Sequence, residues 1–151
     1  MADRLDDQGL ATVFGGSGFV GRYAVSALAK QGWRVRAAVR RPDLAGFLQT
    51  AGFVGQVAPV QANVRYPQSV ERALAGAKVA VNCTGVLTSG GKQTFKALHV
   101  EGPRAMAKAA RAAGVRHFVH ISAIGADPNS ISAYARSKAE GEAAVLEEFP
   151  G

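Results

Sequence analysis

"VFGGSGFVGRY", residues 13–23, sets four glycines, Gly15, Gly16, Gly18 and Gly21, between the apolar run "LATVFG" (10–15) and an Ala-rich run that continues to residue 31. The first run is short and β-prone. The second spaces its apolar residues as a helix does and stops at Gly32. So much backbone freedom between a strand and a helix predicts three needs: a tight turn, a close approach of backbone to something outside the chain, and close packing of helix on strand.

The same alternation continues outward. Residues 33–40, "WRVRAAVR", read as a second strand, and "DLAGFLQTAG" (43–52) as a short helix behind Pro42. Residues 56–64 read as a third strand, placed at a sheet edge by Pro59, which cannot donate to a ladder. A helix over 67–76 opens on Pro67, and a fourth strand covers 78–85. After the Gly/Ser-rich loop "VLTSGGKQ" (86–93) come a long helix over 93–113 ending at Gly114, a fifth strand over 116–125 and a last helix over 132–149. Strict β–α alternation with short connections predicts a parallel sheet covered by helices on both faces. The expected fold is therefore a Rossmann-type, doubly wound α/β domain with strand order 3-2-1-4-5.

The length of 151 residues suits one domain, and an apolar fraction of 48% is enough for a real core. No apolar run approaches the length of a membrane span. The N-terminal "MADRLDDQGL" has no apolar signal core and is a poor match to an Arg-rich transit peptide. Cys83 is the only cysteine, which excludes an internal disulfide and fits a reducing cytoplasm; it reads as a small buried hydrophobe in a strand. Lys and Arg outnumber Asp and Glu by 18 to 11 without forming a basic run. That excess suits phosphate, an anionic membrane surface or an acidic partner. No nucleic-acid-binding signature accompanies it.

Glycines in a strand–loop–helix context predict a dinucleotide whose pyrophosphate lies on the helix N-terminus, where unpaired N–H groups and the helix dipole favour anions. Two registers fit: Gly16-x-Gly18-x-x-Gly21 and Gly15-x-x-Gly18-x-x-Gly21. The loop residues Ser17, Phe19 and Val20 belong to the same expected cradle. At the end of the second strand, where an NAD site carries Asp or Glu, this chain has Arg40 and Arg41. Guanidinium groups suit a 2′-phosphate, so the expected cofactor is NADP(H), with NAD(H) the alternative. Asp43, just beyond, reads as a helix cap.

A second motif lies downstream. "SAYARSKAEGE" contains Tyr134-x-x-x-Lys138, and Ser122 precedes it near the end of the fifth strand. Tyr and Lys four apart share one helix face, where an ammonium favours the phenolate. Over nearly its whole length the chain resembles the short-chain dehydrogenase/reductase superfamily, in its extended or atypical branch. The resemblance implies that Tyr134 exchanges a proton with a carbonyl or alcohol, that Lys138 also holds the nicotinamide ribose, and that Ser122 hydrogen-bonds the substrate oxygen. It also implies cofactor contacts for Asn63 and Val64 after the third strand and for Cys83, Thr84 and Gly85 after the fourth.

More narrowly, "TVFGGSGFVGRY", "QANVRYP", "HISAIGAD" and "YARSKAEGEAAV" are similar to the nucleotide-binding accessory subunits of respiratory complex I in bacterial form. That group implies a largely structural NADP(H) site. It implies complex I subunits as partners and a peripheral position on the cytoplasmic side of the inner membrane. An active NADP-dependent reductase or sugar-type epimerase, or an NADP(H) redox sensor, are the other readings.

Three departures favour the structural role. "HVEGP" (99–103) stands where many active relatives carry "NVxGT", which puts His99 and Pro103 at altered positions. Asn63 stands where Asp is common. The chain also stops before the family's C-terminal lobe, so it is expected to be the N-terminal part of a longer protein, with the fifth strand an open edge. His117 and His120, three apart on a strand, point to opposite faces and predict no metal. The "SGGK" loop, Ser89 to Lys92, lacks P-loop spacing and reads as a loop over the cofactor site.

Overall fold

The computed structural model describes residues 8–151; the N-terminal run over 1–7 lies outside the described residues. The described residues form one parallel sheet: β1 (Leu10–Phe14), β2 (Arg34–Val39), β3 (Val57–Gln61), β4 (Val79–Asn82) and β5 (His117–His120). Its order, β3-β2-β1-β4-β5, is the expected one, with β3 and its Pro59 at an edge. Phe14 stands opposite Ala38 on one side and Asn82 on the other, so β1, β2 and β4 end at one level.

Side-chain alternation along β1 divides the core. Phe14 points to one face, where it meets Val70 and Leu74 of α2 (Pro67–Leu74) and Met106 and Ala110 of α3 (Gly102–Ala112). Val13 points to the other and meets Val25 and Ala29 of α1 (Phe19–Lys30) together with Leu48. Phe14 and Leu74 are fully buried, each contributing about 2 kcal/mol of apolar burial. α4 (Ala133–Glu148) packs on α3 and the segment before it. Its start is fixed by Ser132, whose hydroxyl accepts from the Ala135 N–H.

Four local expectations are corrected. The segment over 43–52 is two 3-10 pieces, Pro42–Leu44 and Gly46–Ala51, rather than one helix. Asp43 caps nothing; its carboxylate takes the Arg41 guanidinium in a two-point pair of 3.0 and 2.7 Å. β3, β4 and β5 stop at Gln61, Asn82 and His120, short of the read ends: after β3 and β4 the chain turns to line a groove, and after β5 the last ladder bond is from Ile121 N–H to the Asn82 carbonyl. Ser122 therefore lies past the strand.

The long helix over 93–113 begins instead as a π-helical turn, Lys96–Glu101, and becomes regular only at Gly102. Pro103 is the cause. It has no N–H for the carbonyl of His99 four residues earlier, and its ring crowds that oxygen. The Gly102 N–H bonds Ala97 O, five residues back.

Candidate nucleotide-binding site

The carboxyl ends of β1, β2, β3 and β4 open into a groove of about 220 Å³. On the β1 side it is lined by Gly15, Ser17 and Gly18; beyond β2 by Arg40; beyond β3 by Asn63 and Val64; beyond β4 by Cys83, Thr84 and Gly85. Ala38, Val39, Ala62 and Arg65, which no motif in the sequence singles out, line it as well. Val86, Gln93 and Leu98 close one side, whereas Ser89 to Lys92, expected over the site, do not line the groove.

The glycines separate by task and select the Gly15-x-x-Gly18-x-x-Gly21 register. Gly15 turns at φ +72°, and a Cβ there would stand 3.1 Å from the Cys83 backbone. Gly18 meets nothing closer than the Gly15 carbonyl at 3.3 Å, so its surface is open to the groove. Gly21 lets α1 rest on the turn: a Cβ there would overlap the Gly15 carbonyl oxygen and stand 2.9 Å from Gly16 Cα. Gly16 packs inward against Ala37. Gly16, Gly21, Phe19, Val20 and Arg41 do not line the groove.

A dinucleotide fits this donor set. The N-cap of α1 is Gly18, with no side-chain cap and no acidic residue in the first turn. The first N–H groups of the helix are thus left for an anion. Asn63 is committed locally: its Oδ1 accepts from Arg65 N–H, and its own N–H donates to Ser69 Oγ. Burial pushes the Cys83 thiol up to about 11, so it is an inert wall rather than a nucleophile.

Ser122, Tyr134 and Lys138 gather beside β5, outside the lined groove. Lys138 is buried, and its Nζ donates to the Ile121 carbonyl at 2.9 Å. Burial lowers its pKa, and Glu142 one turn on offsets part of that. The Ser122 hydroxyl donates to the Glu142 carboxylate. The Tyr134 ring packs edge-on against Phe95 and His99, at 5.9 and 5.4 Å between ring centres.

His99 ties the two regions together. Its Nε2 accepts the Val86 N–H at 3.0 Å, which assigns its proton to Nδ1; Nδ1 then donates to Ser137 Oγ at 2.9 Å, and Ser137 donates to the Tyr134 carbonyl. Burial, with the Lys138 charge adding to it, pushes His99 down to about 4. His120 is also pushed to about 4, by burial first and Lys138 second. Its Nδ1 accepts from Asn82 Nδ2 at 3.0 Å, and its buried Nε2 has no partner among the described residues. Asn82 Oδ1 accepts both the N–H and the hydroxyl of Thr84. No group of three or more His, Cys, Asp or Glu among the described residues could hold a metal.

A family model described as NAD(P)H-binding matches residues 15–148, from the first glycine of the cradle to the end of α4. The chain belongs to this NAD(P)H-binding family, of the extended short-chain dehydrogenase/reductase type. Its cofactor is a nicotinamide dinucleotide. Among curated relatives of the family, a ceramide reductase from Caulobacter vibrioides is 37% identical over 145 residues, covering 96% of this chain and 44% of that protein. The mitochondrial NADH-ubiquinone oxidoreductase 40 kDa subunit of Neurospora crassa is 35% identical, over 93% of this chain and 37% of its own length. The chain thus spans about two fifths of these relatives. A short-chain dehydrogenase/reductase superfamily protein from Agrobacterium tumefaciens, solved with bound NAD, superposes at a TM-score of 0.71 with 29% identity, over 91% of this chain and 44% of that one. Alfalfa vestitone reductase, at 23% identity, shares the fold with a TM-score of 0.74 over 93% of this chain and 52% of that one.

Reading the sequence for this family misses Arg65, Val86, Gln93 and Leu98 on the groove wall, and His99 and Glu142 beside it. Arg65 and Glu142 carry no pattern of their own. His99 had one signal, its departure from the family's Asn.

Proposed function

We propose that the chain is an NADP(H)-holding, largely structural part of respiratory complex I, peripheral on the cytoplasmic side of the inner membrane. The observation that carries this reading is the contrast in saturation. The groove's anion donors at the start of α1 have no side-chain cap among the described residues, whereas Ser122 and Lys138 are each engaged by the chain itself. A bound nucleotide would complete the first region and leave the second as it is. Arg40 on the groove wall favours NADP(H) over NAD(H). The complex I relatives favour these partners, and the +7 charge favours an anionic lipid surface nearby. No helix among the described residues is long and apolar enough to cross a membrane, which agrees with attachment through partners.

The 37% identity with ceramide reductase supports a second reading, an NADP-dependent reductase. In that case Tyr134 donates the proton to the substrate oxygen, Lys138 supports the phenolate, and Ser122 leaves Glu142 to hold the substrate oxygen. The cofactor supplies the hydride.

Gentle purification from native membranes separates the two. Co-migration with respiratory-chain subunits, without carbonyl-dependent NADPH oxidation, supports the structural role. A free protein whose NADPH oxidation disappears in Tyr134→Phe overturns it.

A further inference from the structure

The face of α1 turned away from the sheet carries aromatic rings. Gly21, Val25 and Ala29 are the helix's buried residues, and its opposite side presents Phe19, Tyr23 and Lys30. Phe19 and Tyr23 are 78% and 65% exposed, with ring centres 5.7 Å apart, edge to face. The 3-10 segment Gly46–Ala51 packs alongside α1, and its exposed Phe47 ring meets the Arg22 guanidinium at 5.0 Å. Phe53 and Val54 follow it, also exposed. They are tied to the far end of α1 by Gln56, whose Oε1 accepts the Phe53 N–H and whose Nε2 donates to the Ala29 and Trp33 carbonyls. One layer of the molecule thus holds rings in water at both ends of a helix, which marks an interaction surface.

The charge of this half of the chain is one-sided. From residue 8 to residue 70 there are seven Lys and Arg and one carboxylate, Asp43, which Arg41 takes at 2.7 Å. Residues 71–151 instead mix ten Lys and Arg with seven Asp and Glu. Neither α1 nor the segment Gly46–Ala51 contains an acid, and Arg22 and Lys30 are exposed. A protein partner uses rings gathered into one desolvated centre. Rings spread along a layer among cations suit a lipid headgroup region, which takes each ring singly while Lys and Arg reach the phosphates.

We infer that the layer of α1 and the 3-10 segment after β2 docks the domain on an anionic lipid surface, with Phe19, Tyr23, Phe47 and Phe53 at headgroup depth and Arg22 and Lys30 on the lipid phosphates. This rests on the peripheral membrane position proposed above and assigns it a face. None of these six residues lines the groove, so nucleotide and lipid use different surfaces.

The test is sedimentation of the full chain with vesicles of phosphatidylcholine alone and of phosphatidylcholine mixed with phosphatidylglycerol. Binding is expected to the mixed vesicles only and weakens as salt rises. Lys30→Gln should cut it about fivefold. Tyr23→Ser combined with Phe53→Ser should cut it more than about tenfold, with nucleotide affinity and the thermal transition close to wild type because both rings are exposed. Lys108→Gln combined with Leu146→Ser, exposed on the opposite helical layer, should bind as the wild type does. If the Tyr23/Phe53 pair leaves vesicle binding unchanged, or the Lys108/Leu146 pair loses it equally, the inference falls. It also falls if the Tyr23/Phe53 pair releases the chain from respiratory-chain subunits without touching vesicle binding, which makes the layer a protein interface. A wild type that ignores both vesicles overturns the inference, while co-migration with those subunits would leave the complex I reading standing.

Discussion

Where β1 and β2 end, the chain turns its backbone outward. Gly18 caps α1 without a side chain, and the groove wall is glycine, a short serine and Arg40. Where β5 ends, the chain closes on itself. Lys138 bonds Ile121, Ser122 bonds Glu142, and His99 links Val86 through Ser137 to Tyr134. Both regions stand at the carboxyl edge of one sheet, and both rest on a glycine that lets two backbones touch. Gly21 seats α1 on Gly15; Gly141 seats α4 on the His99 carbonyl that Pro103 leaves free of an i→i−4 bond. The difference teaches that one fold can keep a ligand cradle unsatisfied while burying the polar groups beside it in a finished network. The first arrangement suits holding a ligand. The second suits rigidity.

The sharpest way to break this comparison is to replace each glycine. Gly21→Ala forces a methyl into the Gly15 carbonyl, backbone against backbone. It should lower the unfolding free energy by about 3 kcal/mol and weaken adenine-nucleotide affinity more than about 100-fold, read by urea denaturation and calorimetry. Gly141→Ala meets the His99 carbonyl in the same way and should destabilise by a similar ~2–3 kcal/mol. Its effect on 5′-AMP affinity should be clearly smaller than that of Gly21→Ala, within about tenfold, because it reaches the groove only through the His99–Val86 hydrogen bond. Equal loss of nucleotide in both variants would erase the distinction between the regions.

Next in size is Arg40→Met, which should weaken NADPH about tenfold and NADH less than about threefold, measured by fluorescence titration. A third effect belongs to the closed region alone. His99 and His120 are held near 4, below the ordinary 6.5 of a histidine. In the unfolded chain both take up protons as pH falls below 6.5, whereas the folded chain refuses them until about 4. Stability from this source is complete above pH 6.5 and is lost as pH falls through that window. Urea titrations from pH 7 to 4.5 should show a loss on the order of 5 kcal/mol from the two together, and His99→Gln should remove about half of that slope. The smallest effect is Tyr134→Phe, which keeps the ring contacts with Phe95 and His99. It should change NADPH affinity less than about twofold, by the same titration.

The legible parts of this molecule were those set by local pattern. Alternating periods gave every strand and the sheet order, because a parallel sheet leaves few connections to choose among. The glycine turn was legible as a cradle, but its register was not. Gly16 and Gly15 are equally small, and only the positive φ at Gly15 and the contact between Gly15 and Gly21 decide between them. Asp43 looked like a cap because a cap and an ion pair use the same residue at the same distance along the chain. The π-turn is not legible as such: in the sequence Pro103 reads only as a departure from the family's pattern, and its missing N–H acts on a carbonyl that the reading has no means to place. Glu142 is invisible because its partner Ser122 lies 20 residues away with no repeating pattern to join them.

The central claim, a cradle that holds NADP(H), is tested most directly on protein purified gently from its native membranes. The nucleotide is released by denaturation and identified by mass spectrometry. NADP(H) is expected in about one-to-one ratio with the protein. NAD(H) in that ratio, or a protein that carries no nucleotide, would contradict it.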